Sequence, residues 1–149
     1  MKNLYFVLYY DNCISTHTSL WLENDRYEYS YWASAGVRKN VFQKFNDGDY
    51  WKFCGIVPIC KVDNEFCLEE SVNSIAHNYT SQNYHLIQNN CWLFAAHLLE
   101  KANLKPKKET MQMIYKLNDK NCGVCPFSTY LIYSFLWYMT SWHDLGYII

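Results

Sequence analysis

Residues 15–32, STHTSLWLENDRYEYSYW, form two runs containing aromatic residues on either side of the polar sequence Glu-Asn-Asp. Two such runs around a short polar turn predict a β-hairpin. With Asn24 and Asp25 in the turn, Trp21 is expected to lie opposite Glu28. Successive side chains of a strand point to opposite faces of the sheet, so six polar or aromatic side chains would share one face. They are His17, Ser19, Trp21, Glu28, Ser30 and Trp32.

Further strands are predicted on both sides of this hairpin. Residues 2–10, KNLYFVLYY, are rich in aromatic and β-branched residues, which favour strands. Residues 50–62, YWKFCGIVPICKV, predict either a pair of strands or one strand with a bulge at Gly55. The sequence WASAGV, which carries Gly36, is predicted to be a loop.

Two segments have the apolar spacing that is typical of helices. In residues 67–79 apolar side chains recur at helical intervals. A second helix is expected after Asn90, a good N-cap, with an apolar stripe that starts at Cys91 and a stop at Asn103. The secondary structure of residues 111–117, MQMIYKL, is left open. The sequence therefore predicts an α+β fold, an antiparallel sheet packed against a few helices.

Size, charge and cysteine content limit the class of protein. A chain of 149 residues, half of them hydrophobic, is expected to form one domain over residues 1–149. The net charge is -1 and no long basic run is present, so no nucleic-acid partner is expected. The N-terminus alternates like a strand and lacks a cleavage site, which predicts a cytoplasmic protein with reduced cysteines. Seven cysteines leave at least one unpaired within the chain.

Cys91 is the strongest candidate for a reactive group because it begins a predicted helix. A thiol there faces unpaired N–H groups and the positive end of the helix dipole, which favour the nucleophilic thiolate. Such a nucleophile needs a general base, for which histidine is suited. Of five histidines, His17 stands early in a rigid strand between small hydroxyl residues and is the candidate base. The alternatives are a structural histidine and a core cysteine.

Two stretches, HTSLWLENDRYEYSYWASAGV and YHLIQNNCWLFAAHLLEKANL, together resemble the permuted papain-like thiol hydrolases. That superfamily includes the NlpC-type peptidases, the lecithin:retinol acyltransferase-like enzymes and the PPPDE-type isopeptidases. In its permuted members the histidine strand precedes the cysteine helix, as His17 precedes Cys91 here. The PPPDE type is the most similar. The residues that match its motifs are His17-Thr18, Glu28-Tyr29, Gly36-Val37, Tyr84, Leu86-Ile87, Asn90-Cys91 and Phe94.

The resemblance implies a circularly permuted papain-like fold and a cysteine hydrolase without metal or cofactor. Cys91 would be the nucleophile, His17 the base, and the N–H of Cys91 part of the oxyanion hole. Glu28 occupies about the place of the residue that orients the imidazole; the alternative is a solvated strand residue. The implied reaction is cleavage of an amide or isopeptide bond in a protein or peptide conjugate, such as a ubiquitin-like one.

Two other functions stay open. A lipid acyl hydrolase or acyltransferase would fit the acyltransferase-like branch, although the histidine expected near Glu28 in that branch is missing. The second open function is that of a catalytically inactive binding protein on the same fold.

The C-terminal part leaves two structural questions open. Residues 124–142 carry no charge and are rich in aromatic residues, which suits either a membrane-inserted helix, giving membrane association, or a buried element. Cys122 and Cys125 form a CxxC, a weak metal signal because structural zinc needs four ligands. Cys13 lies near His17 but lacks a helix dipole, so it ranks below Cys91.

Overall fold

A computed structural model of the protein describes residues 1–11, 15–42, 52–85 and 89–122. Within these residues, five strands come first in the order of the chain, followed by three helices and a short 3-10 turn. Their bounds are β1 Lys2–Asp11, β2 Ser15–Leu22, β3 Tyr27–Trp32, β4 Gly36–Val41, β5 Lys52–Val62, α1 Leu68–Ile75, the 3-10 helix Ala76–Asn78, α2 Cys91–Lys101 and α3 Lys108–Cys122. The predicted α+β class with an antiparallel sheet is confirmed.

The sheet has five strands in the order β4-β3-β2-β1-β5, and every neighbouring pair is antiparallel. The predicted hairpin between β2 and β3 is confirmed, since Trp21 pairs with Glu28. Its turn places Asn24 at a φ of 68°, the left-handed region in which asparagine is tolerated. The hairpin puts β2, and with it His17, in the middle of the sheet.

The segment predicted to be a loop around Gly36 is in fact the start of strand β4. The turn is confined to residues 33–35, and Gly36 begins the strand with a φ of 73°. A Cβ atom at Gly36 would lie 3.1 Å from the carbonyl oxygen of Tyr79. β4 was missed because it is an edge strand with four consecutive exposed residues, so no buried face imposes an apolar alternation.

Strand β5 settles the choice left open for residues 50–62, in the part that begins at Lys52. It is one continuous strand that pairs with β1, with a register shift beside Gly55 and another near its end. The partner of Leu8 is Gly55 and the partner of Tyr9 is Phe53, so one residue, Cys54, is bulged between them. The predicted bulge at this glycine is therefore confirmed to within one residue.

The hydrophobic core lies between one face of the sheet and the helices. Phe6 packs on Trp92 of α2, with ring centroids 5.9 Å apart, and Tyr31 packs near Phe94 at 6.2 Å. Phe6 is the cross-strand partner of Leu20, so these residues define one face, called the helix face below. The strand residues on the other face alternate with them, and that face is called the histidine face.

The two predicted helices are confirmed and the ambiguous segment is helical. α1 and the 3-10 turn span most of the predicted residues 67–79, and Asn103 ends α2 with a φ of 56°. Residues 111–117 belong to α3, which buries Met111 and Ile114. Among the described residues, none of the helices has both the length and the apolar character needed to cross a bilayer. The prediction for residues 124–142 lies outside the described residues.

Candidate active site

Cys91 is the first residue of α2 and lies inside the protein, with 3% of its surface exposed. The helix start is fixed by Asn90, whose side-chain oxygen accepts a hydrogen bond from the backbone N–H of Leu93 at 2.9 Å. This is the capping interaction that the sequence predicted. The backbone N–H groups of Thr18, Trp92 and Cys91 itself lie close enough to the sulfur to lower the pKa of the thiol.

The pKa of the Cys91 thiol moves in the direction opposite to the sequence-based prediction. Burial removes water from the sulfur and raises the pKa to about 11, although the three N–H groups lower it in part. The predicted stabilisation of the thiolate at the helix start is present, but it is smaller than the cost of desolvation. The thiol of Cys91 therefore carries its proton at neutral pH.

The proximity of the Thr18 N–H to the Cys91 sulfur shows how α2 meets the sheet. The ladder between β2 and β3 runs through Leu20–Tyr29 and Trp21–Glu28 among the described residues, two positions beyond Thr18. Strand N–H groups lie in the plane of the sheet, and β1 occupies one side of Thr18. The sulfur close to this N–H therefore lies on the β3 side, in a space called the β2–β3 gap below.

His17 is the residue next to Thr18, but its imidazole lies on the histidine face. Its ring centroid is 4.0 Å from that of Trp32 and 6.0 Å from that of Tyr9, its cross-strand partner. Burial lowers the pKa of His17 to about 3, because the charged form loses its hydration. The imidazole is thus neutral at physiological pH.

The structure therefore brings the backbones of the two predicted catalytic residues close together. Their side chains, however, lie on opposite faces of the sheet. Cys91 approaches from the helix face, where α2 packs, and the His17 ring projects from the other side of β2. Alternation along a strand explains the difference, because Thr18 and not His17 points toward α2. A proton transfer between Cys91 and His17 stays a prediction.

Glu28 lies on the histidine face, as predicted from the hairpin. Its carboxylate oxygen Oε1 accepts hydrogen bonds from the hydroxyl of Tyr9 at 2.5 Å and from that of Ser19 at 3.0 Å. The alternative of a solvated strand residue is wrong, because Glu28 is only 6% exposed. Burial raises the pKa of Glu28, and these two hydrogen bonds lower it in part. The role of Glu28 in orienting His17 stays a prediction.

Two tyrosines near the candidate residues were not assigned a role from the sequence. Tyr9 bridges His17 and Glu28, which only the pairing of β1 with β2 shows. Tyr84 lies near the Cys91 sulfur, and a negative charge on that sulfur raises the pKa of the phenol in addition to the larger effect of burial. The sequence placed Tyr84 in a matching motif but did not indicate that it would adjoin the sulfur.

The remaining cysteines give no metal site within the described part of the chain. Cys54, Cys60 and Cys67 form no disulfide with another described residue, and no group of three or more metal-binding side chains occurs in that part of the chain. Cys13 and Cys125 lie outside those residues, and the side chain of Cys122 does as well. The CxxC prediction is therefore not addressed by the structure.

Comparison of the chain with known protein families and with curated proteins gives no match. The fold and the site define an α+β protein with a cysteine at a helix start against a central strand. A function must be argued from that geometry.

Proposed function

We propose that this protein is a cysteine hydrolase that cleaves an amide or isopeptide bond, with a permuted papain-like arrangement of a histidine strand and a later cysteine helix. The observation that carries the proposal is the proximity of the backbone N–H of Thr18 to the sulfur of Cys91, which lowers the pKa of the thiol. It places the start of the cysteine helix beside the residue that follows His17.

The N–H groups around Cys91 are suited to acyl transfer. They are donors of fixed orientation in a buried site, where hydrogen bonds to a negative charge are strong. In the first step the sulfur bonds to the carbonyl carbon, and the carbon–nitrogen bond breaks. The thiol proton passes through the base to the leaving amine. In the second step water breaks the thioester, returns a proton to the sulfur and releases the acid.

His17 is the proposed base, acting through the β2–β3 gap. Its backbone is adjacent to the N–H that lies close to the sulfur, so rotation of the imidazole away from Trp32 would bring the ring toward the gap. Because Cys91 and His17 are both neutral at rest, the sulfur loses its proton during attack and not beforehand. A protein or peptide conjugate is the proposed substrate class, and a lipid ester or amide remains an alternative substrate.

The test is acetylation of the protein by p-nitrophenyl acetate, followed by peptide mass spectrometry. Acetyl transfer to Cys91 and later hydrolysis of the thioester are expected in the wild type. Cys91→Ser should abolish this modification, and His17→Gln should slow both steps by about 10²- to 10⁴-fold, the usual contribution of a general base. Cys67→Ser is the matched control, since Cys67 is exposed and outside the site.

A catalytically inactive binding protein is a second candidate. It is favoured by the burial of Cys91 and by the placement of the His17 ring on the opposite face. In this case Cys91 is a core residue, and p-nitrophenyl acetate would modify exposed thiols such as Cys67 but leave Cys91 unmodified in the folded protein. That outcome would exclude the hydrolase.

A further inference from the structure

Tyr84 is held beside the start of α2 by a local backbone bridge. His85 and Asn89 exchange two backbone hydrogen bonds, of 3.0 and 2.9 Å, as an antiparallel pair. Tyr84 and Asn90 flank this isolated bridge, so the backbone of Tyr84 lies near the residue that caps α2 and precedes Cys91.

The ring of Tyr84 is fixed on its other side by Tyr31. The two ring centroids are 5.0 Å apart, and Tyr31 also packs at 6.2 Å from Phe94 of α2. The Tyr31 hydroxyl donates to the carbonyl oxygen of Thr80 at 2.6 Å, so that hydroxyl is already engaged. Of these two tyrosines, Tyr84 is therefore the one whose hydroxyl is suited to act on a group bound at Cys91.

The electrostatics agree with this placement. Burial raises the pKa of Tyr84, and the nearby charge of a Cys91 thiolate raises it further. The phenol consequently keeps its proton and remains a hydrogen-bond donor throughout the physiological range. A charge on the Cys91 sulfur, or on an oxygen bound next to it, lies within the electrostatic reach of this hydroxyl.

We propose that the Tyr84 hydroxyl donates a hydrogen bond to the oxyanion that forms when Cys91 attacks an acyl carbonyl, together with the backbone N–H of Cys91. The inference depends on the proposed hydrolase function and adds a catalytic residue to it. In the step concerned, the carbon–sulfur bond forms while the carbonyl π electrons move onto oxygen. The hydrogen bond stabilises that oxygen until the leaving group departs, and Tyr84 keeps its proton.

The experiment compares two reactions of the same sulfur. Iodoacetamide alkylates a thiolate by displacement of iodide and forms no oxyanion, so its rate reports access and deprotonation. p-Nitrophenyl acetate acylates the sulfur through an oxyanion and releases p-nitrophenolate. Both rates would be measured at Cys91 by peptide mass spectrometry in the wild type, in Tyr84→Phe and in the control Tyr5→Phe. Tyr5 lies on the histidine face, stacked on Trp21.

Tyr84→Phe is expected to lower the acylation rate at least about tenfold and to leave alkylation within about twofold, since loss of one oxyanion donor costs roughly 10²- to 10³-fold in catalysis. Tyr5→Phe should change neither rate. Equal acylation in Tyr84→Phe and the wild type would overturn the role of Tyr84 while the hydrolase proposal stands. A parallel fall of both rates would also overturn the role of Tyr84, because it would show that Tyr84 controls the access of reagents to Cys91. Absence of acylation at Cys91 in the wild type would instead refute the hydrolase.

Discussion

The burial of His17 makes a prediction about stability that is independent of any activity. The pKa of this imidazole falls from 6.5 in the unfolded chain to about 3 in the folded protein. Where the pH lies between these values, the unfolded state binds a proton that the folded state does not. The contribution of His17 to stability is therefore complete above pH 6.5 and is lost as the pH falls toward 3.

The size of the loss follows from the two pKa values. A pH of 5 is about 1.5 units below the pKa of 6.5 that the histidine has in the unfolded chain, so the unfolded state is protonated. In the folded protein the imidazole is still neutral at this pH. At about 1.4 kcal/mol per unit, the protein should lose about 2 kcal/mol of unfolding free energy between pH 8 and pH 5 through this one side chain. That is a large fraction of the roughly 5–15 kcal/mol by which domains are stable.

Urea unfolding, followed by the fluorescence of the six tryptophans, measures this free energy at each pH. His17→Gln removes the titrating group, so its stability should fall by about 2 kcal/mol less than that of the wild type between pH 8 and pH 5. His85→Gln, which changes an exposed histidine, should behave like the wild type. Stability curves of the wild type and His17→Gln that run parallel over this range would show that the imidazole is not buried in its neutral form.

Two further changes test the surroundings of the candidate site. Asn90→Ala should cost about 1–2 kcal/mol of unfolding free energy, because the buried N-cap loses its hydrogen bond from Leu93. Asn90→Ser can still cap the helix and should retain most of the stability. Equal losses in the two variants would contradict the capping role of Asn90. Glu28→Gln should be more stable than the wild type at pH 8, by an excess that shrinks as the pH falls toward 4.5. The raised pKa of Glu28 means that the folded protein loses stability as this carboxyl ionises, and an excess that grows toward low pH would refute this.

Features encoded by neighbouring residues could be predicted from the sequence. The β2–β3 hairpin has the expected pair Trp21–Glu28, since a short turn fixes the register of the two strands it joins. The cap by Asn90 was also predicted, because it depends on the first helical turn alone. Strand β4 was not predicted, because it contributes little to the core and its sequence has no apolar alternation.

Features set by contacts between distant segments could not be predicted. The sequence indicated that His17 and Glu28 share a face, but the prediction did not assign which face would receive α2. That choice is made by the packing of Phe6 and Leu20 against the helices, on the face that excludes His17. The raised pKa of Cys91 could not be predicted either. Helix capping depends on neighbouring residues, whereas the burial of the thiol depends on the packing of the whole fold.

The proximity of the Thr18 N–H to the sulfur of Cys91 is unusual for a central strand. The N–H groups of such a strand normally donate to carbonyl oxygens of the neighbouring strand, and a thiol sulfur is a weaker acceptor than a carbonyl. A neutral thiol therefore offers this N–H only a weak acceptor. With a negative charge on the sulfur, the same N–H forms a charge-assisted bond that is roughly twice as strong. The geometry around Cys91 thus stabilises a charged form that burial disfavours at rest, as expected if the negative charge develops only while the sulfur reacts.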